Sequence, residues 1–191
     1  EHFSVNTDAT HFTSCKGTVS QKNCIFEAQG DDSVNIHTYY HRIERLSDTA
    51  CILRACARTH SRGLDHPDAG DVLELTEQKS LRVLARYRVL ACEVDETERH
   101  AKITLDHPLP IQTDGCLFAD ATRLPRFVFS GNVCKNHYAR GILVKTRGVL
   151  IENNLIEKTL GTAIECAAER WWGEGVNPGE IVIRNNRIHA C

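Results

Sequence analysis

No run of this sequence is apolar over the roughly 18 residues that a membrane-spanning helix needs, and no signal-peptide pattern occurs in it. Methionine is absent altogether from the 191 residues. The chain begins at Glu1 in the middle of what reads as a folded motif and ends at Cys191 just after a strand pattern. We therefore expect an internal piece of a longer protein, and the missing targeting signals say little about localisation. A surplus of either charge sign is also lacking. The formal net charge is −2, so no nucleic acid or other polyelectrolyte partner is expected. Gly-rich phosphate loops of both common types are missing. None of the nine cysteines forms a Cys-x-x-Cys, and Cys51 and Cys56 have no nearby His pair at zinc spacing. No metal or organic cofactor is expected, and the cysteines read as small buried hydrophobes rather than a disulfide framework.

What is present is a repeat. Near the C-terminus stands Ile181-x-Ile183-x-Asn185-Asn186-x-Ile188, and before it Val149-x-Ile151-x-Asn153-Asn154-x-Ile156. Phe127-x-Phe129-x-Gly131-Asn132-x-Cys134 and the weaker Val19-x-Gln21-x-Asn23-Cys24-x-Phe26 follow the same plan. Each copy is a short alternating strand, a polar corner and another inward residue. Ten residues after Cys24, Asn132 and Asn154 come Val34, Ile142 and Ile164, so a second strand keeps register too. Asn132 and Asn154 are 22 residues apart, and Asn154 and Asn186 are 32 apart. The longer interval holds Trp171, Trp172 and Glu174 as an extended loop. Short strands recurring at this period predict an all-β parallel β-helix, in which each coil buries its apolar face by stacking on its neighbours. Asn suits such a corner because it tolerates left-handed backbone and its amide can stack in a ladder.

Cys24 and Asn132 are 108 residues apart, far too many for one coil. The excess predicts a small antiparallel β insertion, with strands at 71–75, 81–84, 87–91 and 101–105 and no catalytic-looking cluster of its own. The expected organisation is residues 1–38 as coils carrying an acidic site, 39–126 as the insertion and 127–191 as continuing coils.

The register locates the chemistry. Asp32 lies two residues before Val34, Arg140 two before Ile142, Thr162 two before Ile164, and Asp8 two before Thr10, which matches Val34 in the preceding coil. Adjacent strands lie about 4.8 Å apart, so Asp8 and Asp32 are expected to be neighbours, with Asp31 beside them and Arg140 one coil on. Gly-Asp-Asp-Ser alone is ordinary turn chemistry. Three carboxylates and a guanidinium in one patch are not, because crowded acids repel and split their pKa values. That split is what acid/base hydrolysis of a glycosidic bond requires. His37 and Lys145 are candidate substrate contacts, although a lone His near a strand end is more often a satisfied core group, and His11 carries the same caution. Trp171 and Trp172, with Glu174 in the same loop, suit sugar stacking.

Asn6-Thr7-Asp8 with Gly30-Asp31-Asp32 resembles the Asn-Thr-Asp and Asp-Asp motifs of the polygalacturonase-like β-helix hydrolases. Asp8 to Phe12, Phe26 to His37, Ala139 to Thr146 and Ile151 to Asn154 are similar to glycoside hydrolase family 110, bacterial exo-α-galactosidases that remove terminal α-1,3-linked galactose. The resemblance spans nearly the whole chain, and it implies a right-handed parallel β-helix of the pectin-lyase-like kind. It further implies inversion of anomeric configuration, catalytic Asp8, Asp31 and Asp32, a galactose-terminated glycan as substrate, and a secreted or periplasmic location. On that reading Asp31 protonates the glycosidic oxygen, Asp8 and Asp32 activate a water, and Arg140 orients substrate. Two other functions stay open at this point: a non-catalytic β-helix that binds carbohydrate or serves as a structural module, and a polysaccharide lyase.

Overall fold

The computed structural model describes residues 3–56 and 65–191. Among these residues the strands run, in chain order, as β1 Thr10–Thr13, β2 Thr18–Lys22, β3 Ile25–Glu27, β4 Val34–Arg45, β5 Ala50–Ala55, β6 Val72–Glu77, β7 Val83–Asp95, β8 His100–Leu105 and β9 Cys116–Asp120. They continue as β10 Arg126–Ser130, β11 Val133–Lys135, β12 Ile142–Val144, β13 Arg147–Glu152, β14 Leu155–Glu157, β15 Ile164–Cys166, β16 Glu174–Gly175, β17 Gly179–Arg184 and β18 Arg187–His189. The only helical turns among the described residues are two 3₁₀ turns, Ala121–Arg123 and Arg170–Trp172. The chain divides into two compact units. One holds the residues up to His37 together with Leu124–Ala168 and Asn177–Cys191, and the other holds Thr38–Arg123 and Glu169–Val176.

The second unit is a barrel. The C-terminal part of β4 pairs antiparallel with β5, β5 with β8, β8 with β7, β7 with β6 and β6 with β9. β9 then pairs back onto β4 through Tyr40–Ala119, His41–Phe118 and Arg42–Leu117, which closes the ring of six strands. Alternation makes this possible: Leu73 and Leu75 of β6, Tyr87 and Val89 of β7 and Ile103 and Leu105 of β8 all point into one buried cluster. Closure also removes the unpaired edges that an open sheet would expose.

The fold class read from the sequence is therefore corrected. The chain is not a right-handed parallel β-helix with a minor appendage. It is all-β, with a closed six-stranded antiparallel barrel plus extra strands. The physical reason lies in β4, which does not stop after one short coil strand. It runs 12 residues, and its second half alternates as a barrel stave. The strands expected at 81–84 and 87–91 are one long strand, β7, preceded by Leu81 in left-handed backbone at φ 57°. β5 and β9 lie outside the strands expected from the sequence.

The extra strands, in the other unit, pair in parallel. β1 pairs with the start of β4, β4 with β12 and β12 with β15, so that Thr10, Val34, Ile142 and Ile164 fall in one row. β2, β10, β13 and β17 form a second group, and β3, β11, β14 and β18 a third. Val34, Ile36, Phe127, Phe129, Ile142, Val144 and Ile151 fill the space inside. At the corner between the second and third groups, Asn23, Gly131, Asn153 and Asn185 all adopt φ between 54° and 68°. The residue after each forms a ladder. Asn132 Oδ1 accepts from the Cys24 N–H at 2.8 Å, Asn154 Oδ1 from the Asn132 N–H at 2.8 Å, and Asn186 Oδ1 from the Asn154 N–H at 3.0 Å. Asn154 Nδ2 also donates to the Phe129 carbonyl at 3.0 Å.

Asn154 is buried, so Asn154→Ala leaves the Asn132 N–H and the Phe129 carbonyl without these partners. Each buried orphan costs about 1–3 kcal/mol. We expect the full-length protein to lose roughly 2–5 kcal/mol, read from the denaturant midpoint. A loss below about 1 kcal/mol would show that the ladder carries little of the stability.

The cysteines depart from expectation in part. All nine are free thiols, but only Cys51 and Cys134 are buried, and Cys191 is exposed.

Candidate active site

The acids sit just before the row of parallel strands. Gly30 precedes them because a Cβ there would meet the Asn6 carbonyl carbon and oxygen at 2.9 Å. Gly141 follows Arg140 for the same reason, since its Cβ would lie 2.4 Å from the Ala163 carbonyl oxygen. Only glycine lets these strands approach so closely at their entrances.

Asp8, Asp31 and Asp32 each place a carboxylate oxygen within 4.8 Å of those of the other two. Asp8 Oδ1 accepts from the Asp32 N–H at 3.1 Å. Asp32 Oδ1 accepts from the Arg140 N–H at 2.9 Å and from Arg140 Nε at 3.0 Å, while Arg140 Nη2 lies 3.0 Å from Asp32 Oδ2. The guanidinium thus hydrogen-bonds Oδ1 through Nε and stands within ion-pair distance of Oδ2 through Nη2, so its charge faces both oxygens. Arg140 Nη1 reaches Glu165 Oε2 at 3.7 Å.

Asp32 is 1% exposed. Burial pushes its carboxyl up to about 6, aided by the charges of Asp31 and Asp8 and opposed by the hydrogen bond and charge of Arg140. Burial also acts upward on Asp8. There the His11 hydrogen bond and charge, the Asp32 N–H and the Lys145 charge outweigh it and hold the carboxyl below its ordinary value. Two neighbouring carboxyls driven in opposite directions are the pattern of an acid/base site. Asp31 is half-buried, more open than Asp32. Three oxygens at this spacing offer a cation a partial shell, and a counter-charge here is already supplied by Arg140.

The other sequence candidates are distributed unevenly. His37 is fully buried, with its Nε2 2.7 Å from His11 Nε2. Lys145 is fully buried and donates to Asn35 Oδ1 at 3.1 Å, so it has no solvated face. Trp171, Trp172 and Glu174 belong to the barrel unit. Trp171 is 90% exposed on its 3₁₀ turn, whereas Glu174 is buried and pairs with Tyr39 through β16. Sequence reasoning missed Glu165 and Asn35. Both follow from the register, in which His11, Asn35, Leu143 and Glu165 share a row.

The barrel unit also carries an acid cluster, which the sequence reading of the insertion did not anticipate. Arg123 Nε lies 3.2 Å from Asp71 Oδ2 and 3.1 Å from Asp120 Oδ2, and its Nη2 lies 2.8 Å from Asp68 Oδ2. Burial and the Asp71 charge push the Asp120 carboxyl up. One arginine tying the start of β6 to the end of β9 is a structural clamp.

No family model matches the chain. Curated proteins do. The chain is 29% identical over 198 residues to "Alpha-1,3-galactosidase B" of Phocaeicola vulgatus, covering 98% of this chain and 33% of that protein. It is 30% identical over 198 residues to the protein of the same name from Parabacteroides distasonis, covering 98% and 32%. It is 32% identical over 189 residues to "Alpha-1,3-galactosidase A" of Akkermansia muciniphila, covering 96% and 31%. The chain spans about a third of the length of these relatives. The resemblance to glycoside hydrolase family 110 read from the sequence is thereby borne out: over nearly all of its length, this chain is a relative of the α-1,3-galactosidases A and B.

Proposed function

We propose that the protein to which this chain belongs hydrolyses terminal α-1,3-linked galactose from glycans. The observation that carries the reading is the Asp8–Asp31–Asp32 trio with oxygens inside 4.8 Å and Arg140 across both oxygens of Asp32. Asp31, the more open of the adjacent pair, protonates the glycosidic oxygen. Asp8, held ionised, takes a proton from the attacking water, and Asp32 and Arg140 fix the pair and orient the sugar. The proton passes from water to Asp8 and from Asp31 to the glycosidic oxygen, which departs as a hydroxyl, and Asp8 then gives its proton to solvent while Asp31 takes one back, so the cycle closes.

The resemblance implies inversion. Inverting pairs usually stand about 6.5–9.5 Å apart and retaining pairs about 5–5.5 Å. The nearest oxygens of the trio lie within 4.8 Å of one another, with little room for a water between them. That crowding favours a second reading, in which Asp8 attacks the anomeric carbon directly and configuration is retained. Proton NMR on the full-length protein with a Gal-α-1,3-Gal disaccharide separates them. β-Galactose as first product establishes inversion, and α-galactose establishes the covalent route. No galactose from α-1,3, α-1,4 or aryl α-galactosides, with glycan binding kept, would leave a carbohydrate-binding module. An unsaturated, ultraviolet-absorbing product from a uronate polymer would make it a lyase.

A further inference from the structure

Beside the acid trio lies a histidine pair that the proposed reaction does not use. His11 Nδ1 is 2.9 Å from Asp8 Oδ2, and His11 Nε2 is 2.7 Å from His37 Nε2. The rings meet edge to face, with centroids 4.9 Å apart. His11 follows Asp8 by three residues and sits opposite Asn35 across β1 and β4, while His37 sits opposite Thr13 two residues further along, on the same face. The His11 side chain is 37% exposed and His37 is fully buried.

The proton positions follow from these distances. A lone pair on His11 Nδ1 facing a carboxylate oxygen at 2.9 Å would be repulsive, so Nδ1 carries hydrogen. Two ring nitrogens 2.7 Å apart need one hydrogen between them. When His11 is neutral, that hydrogen belongs to His37, which donates from Nε2 and so dictates which tautomer His11 adopts. When His11 is cationic, it donates at both ends. In either state a hydrogen on His11 Nδ1 points at Asp8.

We propose that His37 is a positioning residue that acts through His11: it locks the Nδ1–H tautomer of His11, and that N–H keeps Asp8 the ionised member of the acid trio. The arrangement is a carboxylate–imidazole–imidazole chain, in which a buried group fixes the tautomer of the one touching the reacting acid. The charged and titratable groups around Asp8 are His11, Asp31, Asp32 and Lys145, with Arg140 behind Asp32. Lys145, and Arg140 acting through Asp32, favour an ionised Asp8, and the two neighbouring acids oppose it. The local N–H of His11 therefore decides the balance. The pair also explains the burial of His37: a substrate contact would be open to the cleft, whereas a tautomer lock gains strength from exclusion of water.

The proposal rests on the hydrolase reading of the trio, and two measurements keep the two separable. In the full-length protein, the acid limb of kcat/KM against pH on an aryl α-galactoside reports Asp8 ionisation. His37→Phe fills the volume and removes the donor, and is expected to move that limb up by about one pH unit, with KM changed less than about twofold. His37→Gln keeps an N–H that can reach His11 and is expected to hold the limb near its wild-type position. Equal shifts in the two variants, or none in His37→Phe, would overturn the lock. The second measurement needs no turnover. With ring-¹⁵N histidine labelling, neutral His11 is expected as the Nδ1–H tautomer in wild-type protein and to gain an Nε2–H population in His37→Phe, and an unchanged His11 tautomer in that variant, or an Nε2–H signal in wild type, would overturn the proposal. Wild-type protein inactive on every galactoside would sink the hydrolase reading while leaving this spectrum to decide the histidines.

Discussion

Asp31→Asn in the full-length protein is expected to lower kcat on a terminal α-1,3-galactoside by on the order of 10²–10⁴, the usual worth of a positioned proton donor. The amide matches the carboxyl in shape, and Asp31 is half-buried, so circular dichroism and melting temperature should stay near wild type. The leaving group supplies the sharper test. An aryl galactoside whose phenol is a strong acid needs little protonation as it departs, and on that substrate the loss should shrink to roughly tenfold. The corresponding change at the base, Asp8→Asn, should show no such relief, because water must be deprotonated whatever leaves. Equal losses for Asp31→Asn on both substrates would take the acid role away from Asp31.

The acid site was more legible in the sequence than the architecture around it. Counting residues from Val34, Ile142, Ile164 and Thr10 put Asp8, Asp32 and Arg140 in one column, and the structure has Asp32 N–H on Asp8 and Arg140 on Asp32. That worked because parallel pairing at a fixed period is a one-dimensional constraint: matching apolar residues fixes the register, and the register carries the polar residues with it. The ladder asparagines were legible for the same reason. The barrel was not. Its closure depends on β9 returning to β4 across a long interval, and no local pattern marks which two of six alternating strands will meet. Local alternation could not show either that β4 would pass from one set of partners to another after His37. The Asp68, Asp71, Asp120 and Arg123 cluster escaped notice because its members meet only once the barrel has closed. His37 had the right address with a different environment: adjacency to the acids suggested contact with substrate, while the pleat turned it to His11.

Arg140→Ala should produce the largest loss of stability of any change at the site, and the loss should depend on pH in a definite direction. The guanidinium grips Asp32, which is 1% exposed. Removing one partner of a buried pair leaves an uncompensated charge and costs about 3–5 kcal/mol. Burial raises the Asp32 carboxyl to about 6 from an ordinary 3.8, so folding favours its protonated form relative to the unfolded chain. The stability tied to that form is complete below 3.8 and is lost as pH rises through 6. Arg140 acts to lower this carboxyl, and without it the folded value climbs further, so the variant keeps Asp32 protonated to higher pH. The destabilisation should accordingly be near its full size at pH about 8 and fall to a minor part of it at pH about 4, where Asp32 is neutral with or without its partner. Adding Asp32→Asn to Arg140→Ala removes the stranded charge and should recover most of the loss at the higher pH, while activity stays low because the site has lost its anchor. Denaturant titrations of the two variants at both pH values would settle it. A loss equal at both, or a double variant no more stable than the single one, would mean that the burial of Asp32 is compensated by something other than Arg140.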